Sequence, residues 1–432
     1  MNANQMQGLG LNVLNRFAQS DWPDRLGVRK SIEKLLYTGT RTGFQLAGAM
    51  ARQFGSSGGK LEQKQRLPAA AKGVFDLSLS DEQQMMRDTL QRFAKDVLRP
   101  AAAGADHEAV FPADVRAQAL ELGLNFYAVP EALGGMAAEQ SVVTNTLMAE
   151  DLGYGDFTLG AALLAPMGVA NALTRWGSRA QQEKYLPAFA DEAPPLAAFA
   201  VNEAQPAFDP NRLSTRAERN GSGYVLNGEK ALVLLAREAE LLLVAAQLDG
   251  APAVFIVEGG SEGLGFREDP GMGLRAAETL RARFENVRAD KLGDDDFDYQ
   301  AFLDLGALAW CALAIGTCQS VMDYVVQYAN ERVAFGEPIS HRQSVAFLIA
   351  DMAIEIDAMR LLVWNAAALA EAGKPFHREA YLARLLTAEK CMKIGNDGVQ
   401  IVGGHGFTKE HPVERWYRDL RAVAVMHSGL HA

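Results

Sequence analysis

Three long apolar patterns of helical spacing follow one another in the last third of the chain, over residues 305–332, 345–372 and 377–402. The first contains an uncharged stretch from Leu305 to Met322, which is just long enough to raise the question of a membrane span. Small and polar residues interrupt this stretch, namely Gly306, Gly316, Thr317, Gln319 and Ser320. Because such residues suit packing among other helices better than contact with lipid, we predict a helical bundle built around a buried helix.

The charge of the chain is unevenly distributed. The net charge is −11 over 432 residues, but residues 1–74 contain eleven Lys and Arg against four Asp and Glu, so they carry +7 and leave −18 for the rest. The acidic body argues against nucleic acid as the main partner, since phosphate binding needs clustered Lys and Arg. The basic arm has three candidate docking surfaces: the protein's own body, an acidic partner protein and an anionic membrane.

The cysteines and the beginning of the sequence bear on location. Cys311, Cys318 and Cys391 have no metal-ligand spacing, and their odd number argues against a disulfide framework, so we expect reduced thiols and no metal site. The sequence begins without a basic region followed by an apolar run, so no signal peptide is expected. These features predict a cytoplasmic protein, with the basic arm as the means of any peripheral membrane contact.

The apolar period changes in the middle of the chain. Asn220-Gly221, Asn227-Gly228 and Asp249-Gly250 are hairpin-turn dipeptides, and they separate the apolar runs at 232–235, 241–246 and 254–257. This pattern predicts antiparallel strands between regions of helical period. Upstream, Ser80 and Gln83 form a capping box at the start of the first helix.

The sequence therefore predicts an α+β protein with four parts. A basic extension and linker covers 1–74, a helical domain 75–195, a β domain 196–298, and a helical bundle of four-helix type 299–432 that is truncated at its end.

Two stretches in the last part carry the resemblance to a known family. Residues 331–343 read Glu-Arg-Val-Ala-Phe-Gly-Glu-Pro-Ile-Ser-His-Arg-Gln. Residues 400–407 read Gln-Ile-Val-Gly-Gly-His-Gly-Phe, followed at 411–419 by His-Pro-Val-Glu-Arg-Trp-Tyr-Arg-Asp. In this order and at this separation they resemble the acyl-CoA dehydrogenase family, flavoenzymes that desaturate acyl thioesters between the α and β carbons. The resemblance runs from about residue 76 to 427.

The resemblance implies an FAD site shared between two subunits. The half that the family supplies from the neighbouring subunit, around the ADP portion of FAD, is preserved here as Arg332, Phe335, Gln343, Gln400, Gly403 and Gly404. An arginine fork and close glycine backbone suit a diphosphate. The alternative interpretation is that these residues hold only a subunit interface, in a dimer or tetramer of like or unlike chains.

The flavin-ring half departs from the family pattern. Where relatives carry a segment like Thr-Glu-Pro-Gly-Ala-Gly-Ser-Asp, residues 202–209 read Asn-Glu-Ala-Gln-Pro-Ala-Phe-Asp, without either glycine. Where relatives place Trp-Ile-Thr beside the ring, residues 232–234 are Leu-Val-Leu. The resemblance leaves Phe199, Val201 and Asn202 as the candidate contacts on this side. Each unmade polar bond to a buried flavin edge costs about 1–3 kcal/mol.

The catalytic base also departs from the family. The family abstracts the α proton with a glutamate, and the matching position here is His427. Some relatives carry the glutamate on the buried helix instead, where this chain has Gly306, and Asp304 would point to a different face. His427 is therefore either a histidine base or a tail residue with no catalytic role.

Three hypotheses for function follow. The chain is an FAD-dependent dehydrogenase of acyl-CoA or of a carrier-bound acyl thioester, with His427 or an unseen carboxylate as its base. Alternatively, it is an impaired or non-catalytic subunit that completes the FAD site of a partner. The third hypothesis is a flavin monooxygenase, or a pure binding protein for acyl thioesters, on the same fold.

Overall fold

A computed structural model of the protein describes residues 78–137, 140–205, 207–221, 223–294, 297–427 and Leu430. The predictions for the extension and linker at 1–74 lie outside these residues. The described chain runs from helices through a sheet to a second set of helices, which confirms the predicted fold class.

Six α-helices form the first region. The predicted capping box is present, with the Ser80 hydroxyl accepting from the Gln83 backbone and the Gln83 side chain accepting from the Ser80 backbone. A π-helical segment, Ala94–Leu98, joins the first two helices. The helices are α1 (Asp81–Phe93), α2 (Arg99–Glu108), α3 (Ala113–Glu121), α4 (Val142–Gly155), α5 (Phe157–Trp176) and α6 (Arg179–Phe189).

Seven strands form the central sheet, whose pairing of β4 with β5 closes it into a barrel. The strands are β1 (Ala197–Ala200), β2 (Arg216–Asn220), β3 (Gly223–Leu234), β4 (Leu241–Leu248), β5 (Ala251–Glu258), β6 (Leu264–Glu268) and β7 (Thr279–Lys291). The antiparallel prediction holds for β2–β3, β3–β7 and β4–β5, but β1 pairs with β4 in parallel. Two other strands lie between β1 and β4 in sequence, and this length of chain makes the parallel crossover possible.

Two of the three predicted turns are hairpin turns. Asp249 and Gly250 both have positive φ, 50° and 89°, between the paired strands β4 and β5. Asn220 ends β2 at the turn into β3. The Asn227-Gly228 prediction is wrong, because these residues lie inside β3 next to an irregularity in its pairing with β7. Gly228 is needed there because a Cβ would lie 2.7 Å from the Cα of Thr215.

The last region contains α7 (Tyr299–Glu331), α8 (Gln343–Glu371), α9 (His377–Val402), α10 (Val413–Leu420) and α11 (Ala422–Val425). A short hairpin, β8 (Val333–Ala334) and β9 (Glu337–Pro338), joins α7 to α8. The helix α7 starts before the predicted residue 305, since Asp298 caps its N-terminus by accepting from the backbone of Ala301.

The buried helix α7 crosses α4 at two glycines. A Cβ on Gly316 would lie 1.9 Å from the carbonyl oxygen of Glu150, and a Cβ on Gly153 would lie 2.1 Å from that of Leu313. Thr317 donates its hydroxyl to the Gly153 carbonyl at 2.7 Å. Gly316 and Thr317, two of the residues that interrupt the uncharged stretch, therefore serve close helix packing.

Two described helices, α5 and α7, are long and apolar enough to cross a membrane by length and composition alone. Inside the protein, 83% and 94% of their most apolar segments are buried, as expected for core helices. One core lies among the helices and extends to one face of the sheet, and a second core, including Leu226, Phe255 and Phe284, fills the barrel.

Candidate functional site

Asn202 and His427 meet at the junction of the barrel and the last helices. The Asn202 amide nitrogen donates to the Val425 carbonyl at 2.7 Å, and its side-chain oxygen accepts from the His427 backbone at 3.1 Å. Arg384 of α9 donates to the Met426 carbonyl at 2.7 Å. The structure thus brings together two of the residues predicted from the sequence. Both polar atoms of the Asn202 side-chain amide are hydrogen-bonded to the protein's own backbone.

The His427 ring packs against Phe208 instead of extending into solvent. The two rings meet edge to face, with centroids 5.5 Å apart and planes at 78°. Burial lowers the pKa of His427 to about 4, and the nearby Arg384 charge acts in the same direction. The imidazole is therefore neutral near pH 7 and able to accept a proton. A conjugate acid of so low a pKa makes it a weak base for an α-proton.

Glu203, the intact carboxylate next to Asn202, belongs to a buried ion pair. Its carboxylate lies 2.8 Å from the Lys230 ammonium and accepts from the backbones of Ser214 and Thr215 at 2.7 and 2.9 Å. Lys230 also donates to the Val201 carbonyl at 3.1 Å. Burial lowers the pKa of Lys230 to about 8 against the opposing effect of Glu203. The pair holds the start of the 202–209 segment on β3, so Glu203 is explained by the fold.

Lys230 was missed as a site residue by the sequence analysis. A lysine within a strand pattern is most often exposed, yet this one is fully buried. The signal that could have indicated its burial is the alternation of side chains between the two faces of β3. Lys230 is four residues after Leu226, so both side chains lie on the same face, and both are buried.

Apolar side chains close the position where relatives contact the flavin ring. Leu234 is 1% exposed and packs, with the partly buried Leu232, on the core shared with the helices, whereas Val233 faces the barrel core. The backbone bulges between Lys230 and Val233, which puts Leu232 at a φ of 54°. No hydroxyl or aromatic ring is supplied by residues 232–234.

Phe199 and Val201 are also core residues. They are 3% and 2% exposed, and the ring of Phe199 lies 5.6 Å from that of Phe302 on α7. Their side chains therefore stabilise the contact between the barrel and the bundle, whether or not a ligand lies beside them.

The residues predicted for the ADP portion lie at the surface. Arg332 follows the end of α7 and is exposed, and within the described residues its guanidinium has no hydrogen-bond or ion-pair partner. Phe335 is 95% exposed at the β8–β9 turn. Gln343 and Gln400 are exposed as well. A Cβ on Gly403 or Gly404 would meet nothing within 4 Å, so both offer open backbone.

One hydrogen bond joins the ends of the two helices next to which Arg332 and Gly403 lie. Tyr328, one turn before Arg332, donates its hydroxyl to the Val402 carbonyl at 3.3 Å, directly before Gly403. The ends of α7 and α9 are therefore neighbours, and Arg332 and Gly403 are the residues that follow these two ends.

The two halves differ in how well they fit FAD. An exposed guanidinium that has no partner among the described residues, together with open glycine backbone at the end of the neighbouring helix, fits a diphosphate. The ring side does not fit, because the Asn202 amide is engaged by the tail and leucine fills the position of the ring-binding hydroxyl. The residues present thus suit the ADP end of the cofactor and not its reactive end.

The alternative base position on α7 holds no carboxylate, since it is Gly306. Asp304 points to the start of α9, where His377 lies 2.9 Å from it, and it also accepts from Gln300 at 3.0 Å. Burial raises the pKa of Asp304, while His377 and Gln300 oppose the shift.

Comparison with known proteins covers nearly all of the described chain. Three family models match: the acyl-CoA dehydrogenase N-terminal domain at 80–193, the middle domain at 198–287 and the C-terminal domain at 298–427. Mitochondrial short-chain specific acyl-CoA dehydrogenase of Rattus norvegicus is 33% identical over 399 residues, which is 88% of this chain and 94% of the relative.

Two further relatives agree. Acryloyl-CoA reductase (NADH) of Anaerotignum propionicum is 32% identical over 366 residues, covering 81% of this chain and 92% of the relative. The solved structure of butyryl-CoA dehydrogenase from Megasphaera elsdenii superposes with a TM-score of 0.75 at 29% identity, covering 82% of this chain and 96% of that one. The chain therefore belongs to the acyl-CoA dehydrogenase family.

Proposed function

We propose that this protein is a subunit of fatty-acyl thioester metabolism that lends its exposed diphosphate-binding surface to an FAD held by a second subunit. Its own desaturation of acyl thioesters is then weak or absent. The observation that carries this proposal is a contrast. Arg332 is exposed and has no partner among the described residues, and Gly403 offers open backbone, whereas the ring side is closed by Leu234 and the chain's own tail.

The substrate class is proposed from the relatives' names. The rat and M. elsdenii proteins are named as dehydrogenases of acyl-CoA and butyryl-CoA, and the A. propionicum protein as a reductase of acryloyl-CoA. A carrier-bound acyl group is the alternative, since the prolyl acyl carrier protein oxidase AnaB matches with a TM-score of 0.74 at 26% identity. The partner subunit is expected to carry its own ring-side contacts and glutamate base.

A second candidate function is an active FAD-dependent dehydrogenase with His427 as its base. The observation that favours it is the pair of hydrogen bonds between Asn202 and the tail, which fixes the backbone of His427, the residue that the family resemblance gives as the base. When bound, FAD would accept the hydride from the β carbon. The residues of this chain would have to hold the thioester and remove the α proton.

The visible spectrum of the purified chain, with and without added FAD, distinguishes the shared-site subunit from the active dehydrogenase. The first proposal expects no stoichiometric flavin in the chain alone. When the tagged chain is purified from the cells that encode it, flavin should accompany a second subunit of the same family. Flavin near one per subunit in the chain alone, bleached by an acyl-CoA, would overturn the shared-site proposal in favour of the dehydrogenase.

Arg332→Ala tests the surface directly in the purified complex. Its flavin content should fall, because the diphosphate loses its guanidinium, whereas Arg378→Ala should leave it unchanged. Arg378 is a matched control, exposed at the start of α9 and paired with the adjacent Glu379. Equal flavin in both variants would contradict a role for Arg332 in binding the diphosphate.

We also propose a reducing, cytoplasmic location. All three cysteines are free and buried, as structural thiols of a reducing compartment would be. Fractionation of the source cells tests this location. If part of the protein is found in the membrane fraction, deletion of residues 1–74 tests whether that segment attaches it there.

A further inference from the structure

The loop between α9 and α10 gathers two histidines and a glutamate at the surface. A ring nitrogen of His405, a ring nitrogen of His411 and a carboxylate oxygen of Glu410 all lie within 4.8 Å of one another. We propose that these three residues form a binding site for a divalent transition metal ion, with Zn²⁺ as the ion that fits best. The proposal is independent of the function proposed above.

The spacing suits a small ion. Ligand atoms held at 2.0–2.1 Å from a tetrahedral zinc ion are about 3.3 Å apart. The Nδ1 of His405 and the Oε2 of Glu410 are already 3.1 Å apart. Both side chains are exposed, so the remaining distance to His411 closes by rotation of side chains without disturbing the core.

Two tyrosines of α7 hold the ring of His411 in place. Its Nδ1 is hydrogen-bonded to the Tyr324 hydroxyl, and its ring meets that of Tyr328 edge to face at 5.6 Å. With Nδ1 engaged by Tyr324, Nε2 is the nitrogen that would bind the ion, and Nδ1 would then carry the hydrogen and donate it to the tyrosine oxygen. A hydrogen bond of this kind on the second nitrogen typically fixes the tautomer and ring direction of zinc-binding histidines.

The loop backbone holds the other two ligands in place. The Thr408 backbone and hydroxyl both donate to the His405 carbonyl, at 3.0 and 2.8 Å. Gly406 packs so tightly that a Cβ would lie 2.5 Å from the Val399 carbonyl oxygen. Lys409, the nearby cation, is directed to Asp106 at 3.6 Å instead of to Glu410. The carboxylate of Glu410 is therefore left for the histidines and an ion.

The donor set selects the ion. Two imidazole nitrogens and one carboxylate suit zinc and its transition-metal neighbours better than Mg²⁺ or Ca²⁺, which prefer all-oxygen sites. Three protein ligands leave the fourth position to water or to a ligand from outside the chain. A bound ion would tie the turn at Gly403 and Gly404 to the start of α10.

The alternative is an ordinary histidine–glutamate pair, and the chain offers a matched example. His341 lies 3.3 Å from Glu337 at a similarly exposed site, but no third ligand joins them in the described residues. A pair of this kind should not hold zinc, so His341→Gln is the control for every measurement.

The test titrates Zn²⁺ into the metal-free full-length protein against a chromophoric zinc chelator. We expect one Zn²⁺ per chain, and His405→Gln, Glu410→Gln and His411→Gln should each weaken binding by at least about tenfold. Tyr324→Phe should weaken it by a smaller factor, while His341→Gln should leave it unchanged. Substituting Co²⁺ should give the visible absorption of a four-coordinate ion, lost in His411→Gln.

Failure of the wild-type protein to bind Zn²⁺ would overturn the proposal. Unchanged Zn²⁺ affinity in Glu410→Gln and His405→Gln would also overturn it. The same holds if the control His341→Gln loses as much Zn²⁺ affinity as these variants. Circular dichroism of each variant checks that it is folded. Because Glu410 is exposed, its variant remains informative even if His411→Gln disturbs the packing around Tyr328.

Discussion

The two halves of the expected cofactor site differ in what their residues do for the fold. On the ring side, Asn202, Glu203 and Leu234 are 7%, 7% and 1% exposed, and each is engaged by the chain itself. On the ADP side, Phe335 is 95% exposed and Arg332 has no partner among the described residues. Packing within the chain therefore explains the first set and not the second. The exposed set is better explained by a ligand or a second subunit.

Breaking the ring-side ion pair should have the largest effect on stability. Glu203→Gln leaves the buried Lys230 ammonium with only the Val201 carbonyl and turns an amide group toward the backbone donors of Ser214 and Thr215. Removal of one partner from a buried pair costs about 3–5 kcal/mol. Urea denaturation of the variant should show a free energy of unfolding lower by that amount.

Glu258→Gln provides the exposed control. Glu258 pairs with Lys184 at 2.8 Å, but both side chains are more than half exposed, at 59% and 56%. The loss should be at most about 1 kcal/mol, since surface ion pairs contribute little. If the two variants lose equal stability, Glu203 is not held in a dry interior and the contrast between the two halves fails.

Truncating one apolar side chain in each half sharpens the comparison. Leu234→Ala should lower the free energy of unfolding by about 3 kcal/mol, because it removes a buried side chain and leaves a cavity. Phe335→Ala should change it by less than about 0.5 kcal/mol, since that ring is at the surface. Thermal melts of the two variants in parallel measure both values. A stability loss in Phe335→Ala comparable to that in Leu234→Ala, at concentrations where the chain is monomeric, would contradict the exposed position.

The sequence predicted the architecture and only part of the site. Helical period, capping at Ser80 and the Asp249-Gly250 turn are local signals, and each corresponds to the observed element. The Asn227-Gly228 prediction failed because a glycine is required at position 228 by the close approach of Thr215, the residue just before β2. Local sequence does not contain such long-range contacts.

The environment of the site residues was the least predictable part. The resemblance placed Asn202 near the cofactor, but nothing in the motif indicated that the Val425 and His427 backbone would engage both ends of its amide. The proposed zinc site likewise depends on the side-chain environment in the folded protein. Five residues separate His405 from His411, a spacing that zinc sites also use, but the spacing alone did not indicate that the folded loop would bring Glu410 to within 3.1 Å of His405.

The smallest expected effect concerns His427 and depends on pH. Burial lowers the pKa of His427 from 6.5 to about 4, and Arg384 adds to the shift. Between pH 6.5 and pH 4, His427 is therefore protonated in the unfolded chain and neutral in the folded chain. Stability from this group is thus complete above pH 6.5 and falls as the pH decreases toward 4, by about 2–3 kcal/mol at most.

His427→Gln should remove this part of the pH dependence. The measurement is the free energy of unfolding in urea at pH 7 and at pH 4.5, for the wild-type protein, His427→Gln and the exposed control His341→Gln. The difference between the two pH values should shrink only in His427→Gln, because carboxylates that titrate in the same range contribute equally to all three proteins. An unchanged difference would mean that the imidazole is solvated in the native state. His427 would then regain a basicity suited to proton abstraction, and the ring side would no longer be the closed half of the site.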